Sequence, residues 1–152
     1  VQILSICNGS IIKGFERRKL NMKEQLIKAA KEARENAYVP YSKFLVGAAL
    51  LSKSEKIYTG CNIENASYSL TCCAERVAIF QAILNGEKQF KEMAIIADTN
   101  RPIPPCGSCR QVMNEFFDPH VIIHMANLKG DIYSISMKAL LPFSFNEKDL
   151  YN

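Results

Sequence analysis

Cysteine and glutamate at short spacings carry the chemistry of this sequence. Cys106 and Cys109 stand three positions apart in Pro105-Cys106-Gly107-Ser108-Cys109, and Cys73-Ala74-Glu75 places another cysteine two positions before a carboxylate. Two sulfurs at that spacing on a helix start can face one metal ion, and Cys73, opening a second helix, can supply a third. Zinc in a catalytic site takes three protein ligands and leaves the fourth position to water. Helix N-termini present free N–H groups and a partial positive charge, which favour thiolate over thiol. Glu75, in the same first turn as Cys73, can reach a water at the open position without being a ligand. That arrangement activates a water and relays its proton. Two other chemistries use part of the set. Cys106-x-x-Cys109 alone is a redox pair, but it leaves Cys73 and Glu75 without a role. A closed structural zinc site needs a fourth ligand, with Cys61, Cys72 or a histidine as candidates.

The elements that must position these residues follow from periodicity. Leu26, Ala29, Ala30, Ala33 and Ala37 fall at helical spacing over residues 22–37, and Pro40 ends that helix. Residues 44–51 are nearly continuously apolar and suit a central strand. A turn at 52–55 and a strand over 56–61 complete a hairpin. A polar loop over 62–71 precedes a helix over 73–84, with Val77, Phe80, Ile83 and Leu84 on one side and a stop at Asn85-Gly86. Residues 93–98 form a strand buried on both faces. A proline-rich loop leads to a helix over 107–117. Strands over 121–127 and 131–136 are close enough to be antiparallel, and a short helix over 136–141 ends at Pro142. The order α-β-β-α-β-α-β-β-α predicts a three-layer α-β-α fold with one five-stranded mixed sheet. Cys61 and Cys72 read as small buried hydrophobes, His120 and His124 as structural residues, and Arg110 as a support of the metal helix or of its dipole surroundings.

Four blocks in order, Tyr41-Ser42-Lys43-Phe44, Gly60-Cys61-Asn62-Ile63-Glu64-Asn65, Cys73-Ala74-Glu75-Arg76 and Pro105-Cys106-Gly107-x-Cys109-Arg110-Gln111, resemble the small homotetrameric cytidine deaminases with three zinc-binding cysteines. The resemblance covers residues 22–145. It implies one Zn²⁺ per subunit on Cys73, Cys106 and Cys109. Glu75 then takes a proton from the attacking water, protonates ring nitrogen 3 of cytosine and helps the amine leave as ammonia. It also implies substrate contacts from Phe44, which packs on the pyrimidine, and from Asn62 and Glu64, which bind the ribose hydroxyls. Ala74, Tyr68 and Phe145 complete the substrate set. Phe145 is the aromatic that enters a neighbouring subunit's site, and Tyr68 lies near the ribose across that interface. The implied reaction turns cytidine and deoxycytidine into uridine and deoxyuridine, as in pyrimidine salvage. A deaminase of modified cytosine nucleosides, of the blasticidin S class, is the nearest alternative; Asn62-x-Glu64 and Phe44 favour the plain nucleoside. Polymer-editing members carry His where Cys73 stands. Three thiolates and Zn²⁺ sum to a negative charge, which makes water at the metal less acidic unless a cation bonds the sulfurs. Arg76 is the residue placed for that supporting role.

Composition is consistent with this. The 152 residues are 48% hydrophobic and 22% charged, an ordinary globular balance for one domain. The net charge of +4 first suggests nucleic acid. Lys13, Arg17, Arg18 and Lys19 face only Glu16 in residues 1–21, however, so residues 22–152 are close to neutral and make no case for a polyanionic substrate. Residues 1–21 read as an extension outside the fold, a processed leader or an upstream segment. The apolar part precedes the basic part, the wrong order for a secretory signal, and it is too short to span a bilayer. Clustered cysteines without an export signal point to a reducing, cytoplasmic compartment. A nucleoside substrate, a homotetramer with shared active sites, and neither nucleic acid nor membrane are the expected partners.

Overall fold

A computed structural model describes residues 20–151. Cys7 and the basic cluster of the first 19 residues lie outside the described residues.

Helix α1 (Met22–Arg34) starts in a capping box: Asn21 accepts from the Glu24 N–H and Glu24 accepts from the Asn21 N–H, both at 2.9 Å. It stops three residues short of the expected 37, because the following residues are drawn into a bridge. The Tyr38 N–H donates to the Asn62 carbonyl at 3.0 Å, and the Glu64 N–H donates to the Tyr38 carbonyl at 2.8 Å. Strand β1 (Val46–Ser52) begins two residues later than its apolar run, since Phe44 is held outside the sheet by side chains described below. It forms the predicted hairpin with β2 (Ile57–Cys61). Strand β3 (Phe90–Ala97), at the place of the expected 93–98 strand, starts three residues earlier. Strands β4 (Ile122–Asn127) and β5 (Ile132–Ser136) are antiparallel, as their short connection requires.

The sheet order is β2-β1-β3-β4-β5, with β3 and β4 parallel and the other neighbours antiparallel. Alternation along β1 feeds two cores. Ala49 and Leu51 join Leu26 and Ala30 of α1 on one face. Ala48 and Leu50 pack on the other with α2 (Ala74–Leu84) and α3 (Gly107–Phe116). The three-layer expectation is met. A short α4 (Met137–Leu140) closes that second core.

Helix α2 departs from the expected packing. Phe80 is 48% and Leu84 87% exposed, whereas Ala74, Ala78, Ile79 and Ala82 are fully buried. The small side chains turn inward because α2 lies almost in contact with β2. A Cβ on Gly60 would sit 2.4 Å from the Ala74 carbonyl oxygen and 2.5 Å from the Ala78 nitrogen. The small Ala74 and Ala78 permit that approach; Ile79 is buried beside them, while Phe80 and Leu84 are left outside. The helix ends where Asn85-Gly86 predicts, with Gly86 at φ +85°.

Candidate metal centre

Strand β3 ends at Ala97, and the chain returns through α3 to the parallel β4. Sites in such sheets form beyond the carboxyl ends of parallel strands, and the cysteines converge there. Cys73 is the N-cap of α2, Cys106 the N-cap of α3, and Cys109 lies in the first turn of α3, fully buried. The three sulfurs lie within 4.8 Å of one another, and Cys73 and Cys106 are 3.9 Å apart. Tetrahedral zinc with bonds of about 2.3 Å sets neighbouring sulfurs about 3.8 Å apart, so the donor set fits one zinc ion in chemistry and in spacing. The group closes at three: neither Cys61, Cys72 nor a histidine joins it among the described residues. That argues against a four-ligand structural site, and the third sulfur argues against a simple redox pair.

The electrostatics suit a set of metal-binding thiols. A hydrogen bond from Cys109, helped by Arg76, pulls the Cys73 thiol down to about 5. The same proximity, with burial, drives the Cys109 thiol upward, and metal binding to such a set releases thiol protons. Cys61 and Cys72 are half-buried rather than the buried hydrophobes expected, and desolvation pushes both thiols up. Arg76 Nη2 donates to the Thr71 carbonyl at 2.9 Å and to Cys73 Sγ at 3.5 Å. Its Nε is buried without a hydrogen-bond partner among the described residues, which leaves this cation donor capacity beside the sulfurs. Glu75 is only 4% exposed, and burial lifts its carboxyl to about 7. A carboxyl poised there both accepts and returns a proton near neutral pH.

Beside the centre, Tyr41, Ser42, Glu64, Tyr68 and Thr71 line a cavity of about 270 Å³. Thr71 is the residue whose carbonyl takes the Arg76 guanidinium, so cavity and metal centre share a wall. Glu64 Oε2 accepts from the N–H groups of Tyr41 at 2.9 Å and Ser42 at 3.2 Å, and Oε1 accepts from the Ser42 hydroxyl. Those bonds, the Ser42 hydroxyl foremost, hold the carboxyl below its usual range. Asn62 is buried and splints the entry to β1: its Nδ2 donates to the Phe44 carbonyl, and its Oδ1 accepts from the Val46 N–H, both at 2.8 Å. Tyr68 stands edge-on to Tyr41 at 5.7 Å and borders the cavity of its own chain. Phe44 is partly exposed.

Phe145 is not brought to this cavity. Gln111 and Asn114 of α3 donate to its carbonyl at 2.9 and 3.2 Å while its ring remains exposed. Arg110 supports the metal helix: its guanidinium donates to the Pro105 carbonyl at 3.0 Å and the Leu140 carbonyl at 3.3 Å. His124 is structural, as read, bonding Ser134 at 2.8 Å and Glu92 at 2.9 Å across the sheet. A larger cavity, about 580 Å³, lies at the other end of α3 beside Phe117, His120 and Phe143, away from every cysteine ligand. The sequence assigned no role to Ser42, although it stands within a quoted block, or to Thr71, two positions before Cys73.

A model of the cytidine and deoxycytidylate deaminase zinc-binding region matches residues 20–125. The chain belongs to that deaminase family. Its relatives include a cytidine deaminase of Sporosarcina psychrophila, 54% identical over 127 residues, covering 84% of this chain and 93% of that protein. One of Halalkalibacterium halodurans is 52% identical over 128 residues, covering 84% of this chain and 97% of that one. Among solved structures, the cytidine deaminase of Burkholderia pseudomallei superposes with a TM-score of 0.80 at 47% identity, covering 83% of this chain and all of that chain. The deaminase family is defined on its zinc-binding region, and the three-cysteine group is the donor set that this chain brings to it.

Proposed function

We propose that this chain hydrolyses cytidine and deoxycytidine to uridine and deoxyuridine with release of ammonia, a pyrimidine-salvage reaction. One observation carries the reading: three sulfurs converge from two helix N-termini with a buried, near-neutral carboxyl in the same turn. Cys73, Cys106 and Cys109 would hold zinc. When bound, zinc supplies the Lewis acidity that makes water a nucleophile at neutral pH. Glu75 takes one proton of the attacking water and delivers it to ring nitrogen 3, then takes the proton of the hydroxyl added at carbon 4 and gives it to the departing amine as the carbonyl forms. Phe44 packs on the base, and Ala74, first residue of α2, offers a helix-start N–H. Asn62 keeps one N–H and one lone pair beyond its splinting bonds, and Glu64 keeps capacity on Oε1, so both can bind ribose hydroxyls.

Residues 22–152 form the catalytic domain in this reading, with residues 1–21 outside it; the start of α1 at Met22 and the sheet continuous from β2 to β5 support that division, although Asn21 itself caps α1. The active form is a homotetramer whose sites are shared. Exposed Phe80, Leu84 and Phe145 supply apolar surface for it; Phe145 then completes a neighbour's site, with Tyr68 near the ribose. The cytoplasm is the compartment that suits five free cysteines among the described residues. No described helix is long and apolar enough to cross a membrane.

The test is metal removal. Cytidine absorbance should fall with the zinc-loaded protein, stop falling after chelation and resume on adding zinc, while free cytosine stays unchanged. Bound zinc without loss of cytidine would reject the reading. Arg76→Gln probes the charge balance: turnover should fall about ten- to a hundredfold while zinc content stays near that of the parent. Equal losses in the metal assay and the kinetic assay would make Arg76 a metal-retention residue instead.

A further inference from the structure

We infer that Ser42 is a positioning residue which couples the sugar-binding carboxylate to the aromatic platform for the base; the inference rests on the cytidine reading above. Phe44 precedes β1, so no sheet ladder holds it. Its carbonyl accepts from Asn62 at 2.8 Å, and its N–H donates to the Ser42 hydroxyl at 3.0 Å. That hydroxyl in turn donates to Glu64 Oε1. One oxygen thus joins the backbone beneath the Phe44 ring to the carboxylate of Glu64. Lys43, between them, sits at φ +59°, a left-handed conformation that a side-chain-bearing residue keeps only when its surroundings over-determine it.

The same bonds limit what Glu64 offers a ligand. Oε2 is occupied by the two backbone N–H groups, and Oε1 has one lone pair beyond the Ser42 bond. Glu64 therefore takes one hydroxyl donor in a direction that Ser42 sets. Without the Ser42 hydroxyl, Oε1 loses its tether and the Phe44 N–H loses its acceptor. Both losses weaken ground-state and transition-state binding alike, which raises KM and leaves kcat in place.

The experiment compares wild type, Ser42→Ala and Ser42→Thr on cytidine and on 2′,3′-dideoxycytidine, with zinc content and amide hydrogen exchange at Phe44 measured alongside. For Ser42→Ala, KM for cytidine should rise about tenfold, the equivalent of one hydrogen bond to a charged group, with kcat and zinc content unchanged. On the dideoxynucleoside, which has no hydroxyl for Glu64, the rise should shrink to about threefold or less. Phe44 exchange should quicken, and threonine, keeping the hydroxyl, should restore both. The inference is overturned if KM and Phe44 exchange stay at wild-type values, if kcat falls together with zinc, if both substrates suffer equally, or if threonine fails to rescue. Wild-type protein inert toward cytidine would sink the function itself, and Phe44 exchange in the alanine variant would still decide whether the clasp exists.

Discussion

Replacing Glu75 with glutamine should leave the zinc content intact and lower cytidine turnover by about 10³- to 10⁴-fold, the upper range for removing a positioned acid–base group. Glutamine keeps the shape, so the packing around α2 is preserved. Glu75 is nearly fully buried in the first turn of that helix, and the sulfurs lie beside it. What glutamine lacks is a site that takes up a proton and returns it. Stability should not fall, because a neutral amide avoids the desolvation that raises the Glu75 carboxyl to about 7. Metal analysis with steady-state kinetics checks the prediction. A loss under tenfold with full zinc would remove Glu75 from the proton path.

The second large effect comes from a residue that performs no chemistry. Gly60→Ala should destabilise the fold by about 3 kcal/mol, the upper end for overpacking, and weaken zinc retention with it. The added methyl would lie 2.4 Å from the Ala74 carbonyl oxygen and 2.5 Å from the Ala78 nitrogen. Both are backbone atoms and cannot swing aside, so α2 must move off β2. That helix carries Cys73 at its cap and Glu75 in its first turn, and its displacement opens the sulfur triangle. Gly107→Ala is the control: it adjoins the Cys106 ligand, but a methyl there meets nothing within 4 Å and the residue has no positive φ. Urea denaturation should leave Gly107→Ala near the parent and shift Gly60→Ala strongly. Equal midpoints for Gly60→Ala and wild type would contradict the close approach.

How much of this was legible in the sequence divides along the range of the interactions involved. Cys73 with Glu75, and Cys106 with Cys109, could each be read because positions within one helical turn fix which way the side chains face; that the two pairs meet was implied by the family resemblance. The strand order of the hairpins followed from short connections. The buried face of α2 could not be read, since hydrophobicity alone turns Phe80 and Leu84 inward. The glycine of a distant strand decides otherwise by demanding alanines at the contact. The late start of β1 was hidden for a related reason. Residues 44–51 are apolar throughout, but side-chain bonds from Asn62 and Ser42 hold Phe44 out of the ladder. Ser42 stood in a quoted block without a role, because its bond to Glu64 exists only once residues 62–64 fold back on it.

The most direct test of the central claim, hydrolytic deamination at this centre, is the fate of cytidine incubated with the zinc-loaded protein in ¹⁸O-labelled water. Hydrolytic deamination gives uridine and ammonia in equal amounts, with one labelled oxygen on the pyrimidine ring of the product. Cytidine recovered unchanged from protein that demonstrably holds its zinc would contradict it.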